Sequence, residues 1–93
     1  MKPENARLYA VAYDIPDDNR RLKVAKVLNR YGKRVQYSVF ECELNPPLLK
    51  KLIADLRRVV VDEEDAVRIY PLAEPPTVVV GEGFDPPEDA FVI

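Results

Sequence analysis

From Leu8 to Tyr13 the chain is almost continuously apolar, and the run stops at Asp14 against a proline-containing acidic turn, Ile15-Pro16-Asp17-Asp18. A short apolar run bounded in this way predicts a central strand over Arg7 to Asp14 that is covered on both faces. A chain of 93 residues makes one domain with one core, and much of its surface stays uncovered unless a second copy packs on it. A homodimer is therefore expected.

Beyond the turn, Asp17 or Asp18 offers an N-cap oxygen for a helix running to about Tyr31, with Gly32 as its expected terminator. Val24, Val27, Leu28 and Tyr31 recur on one face of that helix, and Arg20, Lys23, Lys26, Arg30 and Lys33 on another. Arg34 to Leu44 reads as extended chain, divisible into two short strands by a bend near Gln36 and Tyr37. Asn45-Pro46-Pro47 opens a second amphipathic helix, with Leu49, Leu52, Ile53, Leu56 and Val59 on its apolar face and an end near Val60. Ala66 to Leu72 alternates as a further strand, and Thr77 to Val80 is a short peripheral one. Two helices covering one face of an antiparallel sheet give an α+β class, a ferredoxin-like βαββαβ sandwich with an extra short C-terminal strand, homodimeric. The domain spans residues 1–83, and residues 84–93 form an acidic C-terminal tail ending in Ala90-Phe91-Val92-Ile93. That apolar ending suits strand addition to another chain or a fold back onto its own domain.

The formal charge of −2 argues against a generally basic nucleic-acid protein, but the charges are segregated. Between Asp18 and Arg34, Arg20, Arg21, Lys23, Lys26, Arg30, Lys33 and Arg34 stand against a single acid. Such a density favours sequence-independent phosphate binding over a merely solvated face. Cys42 is the only cysteine and there is no histidine, which excludes an intrachain disulfide, thiolate clusters, His-ligated zinc and imidazole bases. Any metal site must be oxygen-rich. No stretch reaches the roughly 20 apolar residues of a membrane span, and the first residues lack a signal-peptide core, so the expected location is cytoplasmic, with no membrane partner.

Asp14 places one carboxylate at a strand end beside the most basic surface of the chain. Such carboxylates often only bond a turn or a helix N-terminus, but Asp17 and Asp18 already suffice for capping. One aspartate is a poor Mg²⁺ site, because the ion takes an octahedral oxygen shell. A symmetric dimer would double the ligand, two copies of Asp14 sharing one ion with water and a phosphate oxygen. Phosphodiester hydrolysis could then proceed without histidine. Ser38 has no partner base, and Tyr37 and Phe40 read as core sooner than as base-stacking platforms.

The segments Tyr13-Asp14-Ile15-Pro16-Asp17-Asp18-Asn19-Arg20-Arg21, Lys23-Val24, Tyr31-Gly32 and Arg34-Val35-Gln36-Tyr37-Ser38-Val39-Phe40-Glu41 closely resemble one family, in order and spacing. It is the CRISPR-associated endoribonuclease family called Cas2, and the resemblance spans residues 7 to 72. It implies a homodimer of ferredoxin-like subunits with Asp14 contributed twice to a Mg²⁺ site. It further implies a metal-dependent nuclease acting on single-stranded RNA or on double-stranded DNA. The alternative is a catalytically silent, DNA-binding scaffold that bridges the CRISPR integrase during spacer acquisition. Carried over position by position, Tyr13 and Asp14 match the catalytic strand-end pair, Arg21 and Arg34 match basic nucleic-acid-binding positions, and Phe40 matches the aromatic one. Arg20 and Lys23 join these on the basic helix. Lys23 stands where some members have arginine, which keeps the charge and loses the planar fork.

Overall fold

The computed structural model describes residues 2–73, 78–80 and 91–92 of the chain. Strand β1 (Arg7–Asp14) leads into helix α1 (Asp18–Asn29), strands β2 (Gly32–Gln36) and β3 (Val39–Leu44), helix α2 (Pro46–Arg57) and strand β4 (Ala66–Leu72). The four strands form one antiparallel sheet in the order β2-β3-β1-β4. This is the expected ferredoxin-like α+β sandwich. β1 is central, with Val11 opposite Phe40 on one side and Ile69 on the other.

Alternation decides which face the helices cover. Val11 and Tyr13 of β1 and Phe40, Cys42 and Leu44 of β3 point into one core with Val24 and Leu28 of α1 and Leu52 and Leu56 of α2. Ala10 and Ala12, on the other face of β1, are half-buried, and no described helix covers them. The run over residues 8–13 is continuously apolar because these alanines fill the positions between core residues. Among the described residues, helices thus cover the strand on one face only.

Both helix starts follow the local chemistry. Asp17 caps α1, its carboxylate accepting from the Arg20 backbone N–H at 2.9 Å, and Asn45 caps α2, accepting from Leu48 N–H at 3.0 Å ahead of Pro46 and Pro47. Both helix ends come earlier than the periodicity predicts. α1 closes at Arg30, whose backbone N–H donates to Val27 and Leu28, and the residues after α2 turn back on Leu56 through Val59 and Val60. Gly32 is accordingly no helix terminator: it lies in β2, opposite Cys42. The bend expected near Gln36 and Tyr37 is the Tyr37–Ser38 turn between β2 and β3.

Of the peripheral strand expected over 77–80, Val78–Val79 forms β5; Thr77 lies outside the described residues. Phe91–Val92 forms β6, parallel to β5 in a separate two-stranded sheet, so this part of the tail pairs with its own chain. Residues 81–90, which carry most of the predicted acidic tail, lie outside the described residues.

Burial fixes the chemistry of the single thiol. Cys42 is fully buried, and desolvation, helped by the charge of Glu41, pushes its pKa up to about 12. The thiolate is the reactive form. Cys42 should therefore resist an aromatic disulfide reagent at pH 8 in the folded protein and react fully in denaturant; rapid labelling of the folded chain would contradict the packing.

Candidate metal centre and nucleic-acid surface

Asp14 is the last residue of β1, directly opposite Ala66, the first residue of β4. Its neighbour Tyr13 points into the core, so Asp14 emerges on the uncovered face of the sheet, in line with Leu8, Ala10 and Ala12. It is exposed, and its carboxylate makes no hydrogen bond or ion pair among the described residues. Capping is done by Asp17, and Asp18 pairs with Arg21. Among the described residues Asp14 is thus a carboxylate without a partner at a fixed strand end.

The other residues expected at the site divide into three placements. Tyr13 and Phe40 are core residues. Phe40 is fully buried and Tyr13 5% exposed, their ring centroids 6.3 Å apart. Phe40 does not reach a surface where a base could stack, because even-numbered β3 residues face the helices. The Tyr13 hydroxyl donates to the Tyr37 carbonyl at 3.3 Å, and the Tyr13 N–H donates to the Ser38 carbonyl at 3.0 Å. Tyr13 therefore ties the end of β1 to the β2–β3 turn. Arg34 lies over the Phe40 ring at 5.2 Å and donates to the Tyr13 hydroxyl at 3.4 Å, which completes this stack.

Arg20 and Arg21 are spent on intramolecular partners. Arg21 donates to the Ile15 carbonyl at 3.0 Å and pairs with Asp18. Arg20 donates from Nε and Nη2 to the two carboxylate oxygens of Asp65 at 2.9 and 3.1 Å, and from Nη2 to Glu64 at 2.6 Å. The Arg20 guanidinium hydrogen-bonded to Asp65 holds that carboxyl below its ordinary value, against the opposing effect of desolvation, with the Val61 N–H adding in the same direction. Arg20 was expected among the phosphate ligands; the acidic turn before β4 has claimed its fork instead.

Lys23 alone keeps the placement expected of it. It is exposed and, with Lys26 and Arg30, borders a shallow depression floored by Val27 and Val59. Arg68 carries a cation that the sequence reading missed. It is exposed on β4 opposite Ala12, on the same sheet face as Asp14 and one pleat away. The alternation of Ala66, Arg68, Tyr70 and Leu72 was the signal for it.

A cavity of about 570 Å³ opens at the other end of the sheet, where Arg30, Lys33 and Lys51 meet Glu41, Glu43 and Asp55. It does not include Asp14, and its charges balance. There the Tyr31 hydroxyl donates to Asp55 at 2.5 Å, and burial together with this bond raises the phenol to about 12. Because the folded value is raised, the stabilisation is complete below the ordinary tyrosine value near 10 and is lost as the pH climbs towards 12. Urea midpoints measured from pH 9 to 12 should fall less steeply for Tyr31→Phe than for the wild type; parallel curves would remove Tyr31 from the alkaline transition.

Residues 7–76 match the family model described as CRISPR associated protein Cas2. The CRISPR-associated endonuclease Cas2 2 of a Thermus thermophilus strain is 60% identical over 67 residues, covering 72% of this chain and 74% of that protein. The CRISPR-associated endoribonuclease Cas2 1 of Chloroflexus aurantiacus is 45% identical, covering 91% of this chain and 98% of that protein. Among solved structures, a hypothetical protein of Thermus thermophilus, TT1823, superposes with a TM-score of 0.80 at 54% identity, covering 85% of this chain and 95% of that one. Streptococcus pyogenes Cas2, solved at pH 6.5, superposes with a TM-score of 0.67 at 32% identity, covering 71% and 86%. With its ferredoxin-like sheet, its strand-end aspartate and a family match that runs from β1 through β4, this chain belongs to the CRISPR-associated Cas2 family.

Proposed function

We propose that the chain is a Mg²⁺-dependent endonuclease of CRISPR spacer acquisition that hydrolyses phosphodiester bonds of single-stranded RNA, working in the cytoplasm as a homodimer. The observation that carries this reading is the exposed Asp14 carboxylate, held at the end of β1 with no partner among the described residues. The nuclease names of its relatives point the same way.

The residues fit Mg²⁺ as half of a site. No described cluster of three His, Cys, Asp or Glu side chains could hold a metal alone, and the donor that Asp14 offers is a hard carboxylate. Mg²⁺ commonly takes one or two carboxylates and completes its shell with water and substrate phosphate. A second copy packed on the uncovered sheet face supplies the second carboxylate. Ala10 and Ala12 at the centre of that face allow close approach, and Tyr70, 47% exposed, and Leu72 offer apolar surface to bury. When bound, the ion supplies polarisation of the phosphoryl group and acidification of a water.

The chain's own residues do the rest. The two Asp14 carboxylates set where the scissile phosphate lies. Arg68, one pleat away, neutralises charge there, and Lys23 holds the flanking backbone as a point charge. Tyr13, Arg34 and Phe40 act from beneath, by fixing the strand end.

A second reading is favoured by the reach of the basic stripe. From Lys23 to Arg30 it follows α1 away from the Asp14 end for roughly 10 Å, a track suited to a duplex backbone. In that reading the dimer is a catalytically silent scaffold that holds duplex DNA and bridges the CRISPR integrase. Incubation of the purified protein with labelled single-stranded RNA and duplex DNA, with Mg²⁺ or with EDTA, separates the two. Mg²⁺-dependent cleavage of RNA is the expected result, and duplex binding without cleavage would leave the scaffold.

A further inference from the structure

Segment 14–20 is closed on two consecutive residues at the start of β4, Asp65 and Ala66. At one end Asp14 pairs in the sheet with Ala66, and at the other Arg20 grips Asp65 through a two-point fork at 2.9 and 3.1 Å. The Asp65 side chain is wholly shielded from solvent, and its Oδ2 also accepts the Val61 N–H at 2.8 Å. Between the two ends, Ile15 is buried in the core, Pro16 has a fixed φ, and the Ile15 carbonyl is held by Arg21. We infer that Arg20 and Asp65 are a positioning pair for Asp14 and that Arg20 is not a phosphate ligand, an inference that rests on the metal-binding role proposed above for Asp14.

Two consequences follow from the geometry. The fork fixes the start of β4, so Asp14 leaves the sheet from a backbone anchored on both sides. A site built on such anchored elements keeps its ligands in place, whereas small misplacements are costly. The same fork also cancels charge. Asp65 and Glu64 directly precede the strand partner of Asp14, and without Arg20 they would repel phosphate and compete for the cation. Arg20 thus offsets the charge of two carboxylates next to Asp14, which itself has no partner among the described residues.

The test uses the full chain as wild type, Arg20→Gln, Asp65→Asn, the double variant and Asp14→Asn, each checked for folding by circular dichroism. Mg²⁺ is titrated against the ¹³C resonance of the Asp14 carboxylate, and RNA binding is measured in EDTA over a series of salt concentrations. Each single variant should weaken Mg²⁺ at Asp14 by about tenfold, as loss of outer-shell partners typically does, and the double variant should be no worse than either. The salt slope of RNA binding should not change. Unaltered Mg²⁺ affinity in the variants would overturn the inference. So would a salt slope lowered by about one phosphate contact in Arg20→Gln together with tighter RNA binding in Asp65→Asn, because release of Arg20 would then create a ligand. An Asp14 resonance that ignores Mg²⁺ in the wild type would instead overturn the metal reading, and this inference with it.

Discussion

Gly32→Ala is expected to lower stability by about 3 kcal/mol or more, among the largest effects of adding one methyl group to this domain. A Cβ at position 32 would fall against the Glu41 carbonyl oxygen, 2.5 Å from the Cys42 Sγ and 2.8 Å from the Cys42 Cα. Two of these three atoms belong to the backbone of β3, and the third is a fully buried sulfur, so none can swing aside as a flexible side chain could. Either β2 separates from β3 or Cys42 leaves the core. Domains of this size have only some 5–15 kcal/mol in total, and each kcal/mol moves Tm by about 4–8 °C. A fall of about 12–24 °C in the thermal transition is the expected reading; a fall below about 4 °C would mean that the β2–β3 contact is looser than described.

Asp14→Asn should behave in the opposite way. The carboxylate has no hydrogen bond or ion pair among the described residues, so the isosteric amide removes none, and stability should stay within about 0.5 kcal/mol of the wild type. Mg²⁺-dependent cleavage of RNA should nevertheless fall by at least about a hundredfold, since loss of outer-shell partners alone already costs 10- to 100-fold. Binding of duplex DNA in EDTA should persist, carried by Lys23 and its neighbours on α1. Loss of activity with loss of fold would assign Asp14 a structural role; full activity in a folded variant would remove it from the chemistry.

The architecture was legible wherever one strong local signal coincided with one element. The apolar run ending at Asp14, a cap at Asp17 or Asp18, the Asn45-Pro46-Pro47 helix entry and the alternation after Asp65 all led to elements that exist. Gly32 shows the limit. Its position after an amphipathic helix gave it the reading of a terminator, whereas its lack of a Cβ is required by β3, ten residues further along the chain. Of the candidate site, the exposed placement of Asp14 and of Lys23 was legible. Long-range pairing was not. Nothing in the spacing of Arg20 discloses that its fork meets Asp65, 45 residues away, and Arg34 and Phe40 form a buried stack only because the β2–β3 register sets them opposite one another. A charge count along α1 measures potential, and partners found by folding decide how much of it remains for phosphate.

The central claim is that one active site needs the Asp14 carboxylates of two protomers. Wild-type and Asp14→Asn chains, unfolded together in varied proportions and refolded so that subunits mix at random, test it directly through the rate of Mg²⁺-dependent RNA cleavage. If both carboxylates hold one ion, activity falls as the square of the wild-type fraction, to about a quarter in an equal mixture of chains that pair at random. Activity that falls in simple proportion, to about a half, would mean that each chain cuts alone and would contradict the shared site.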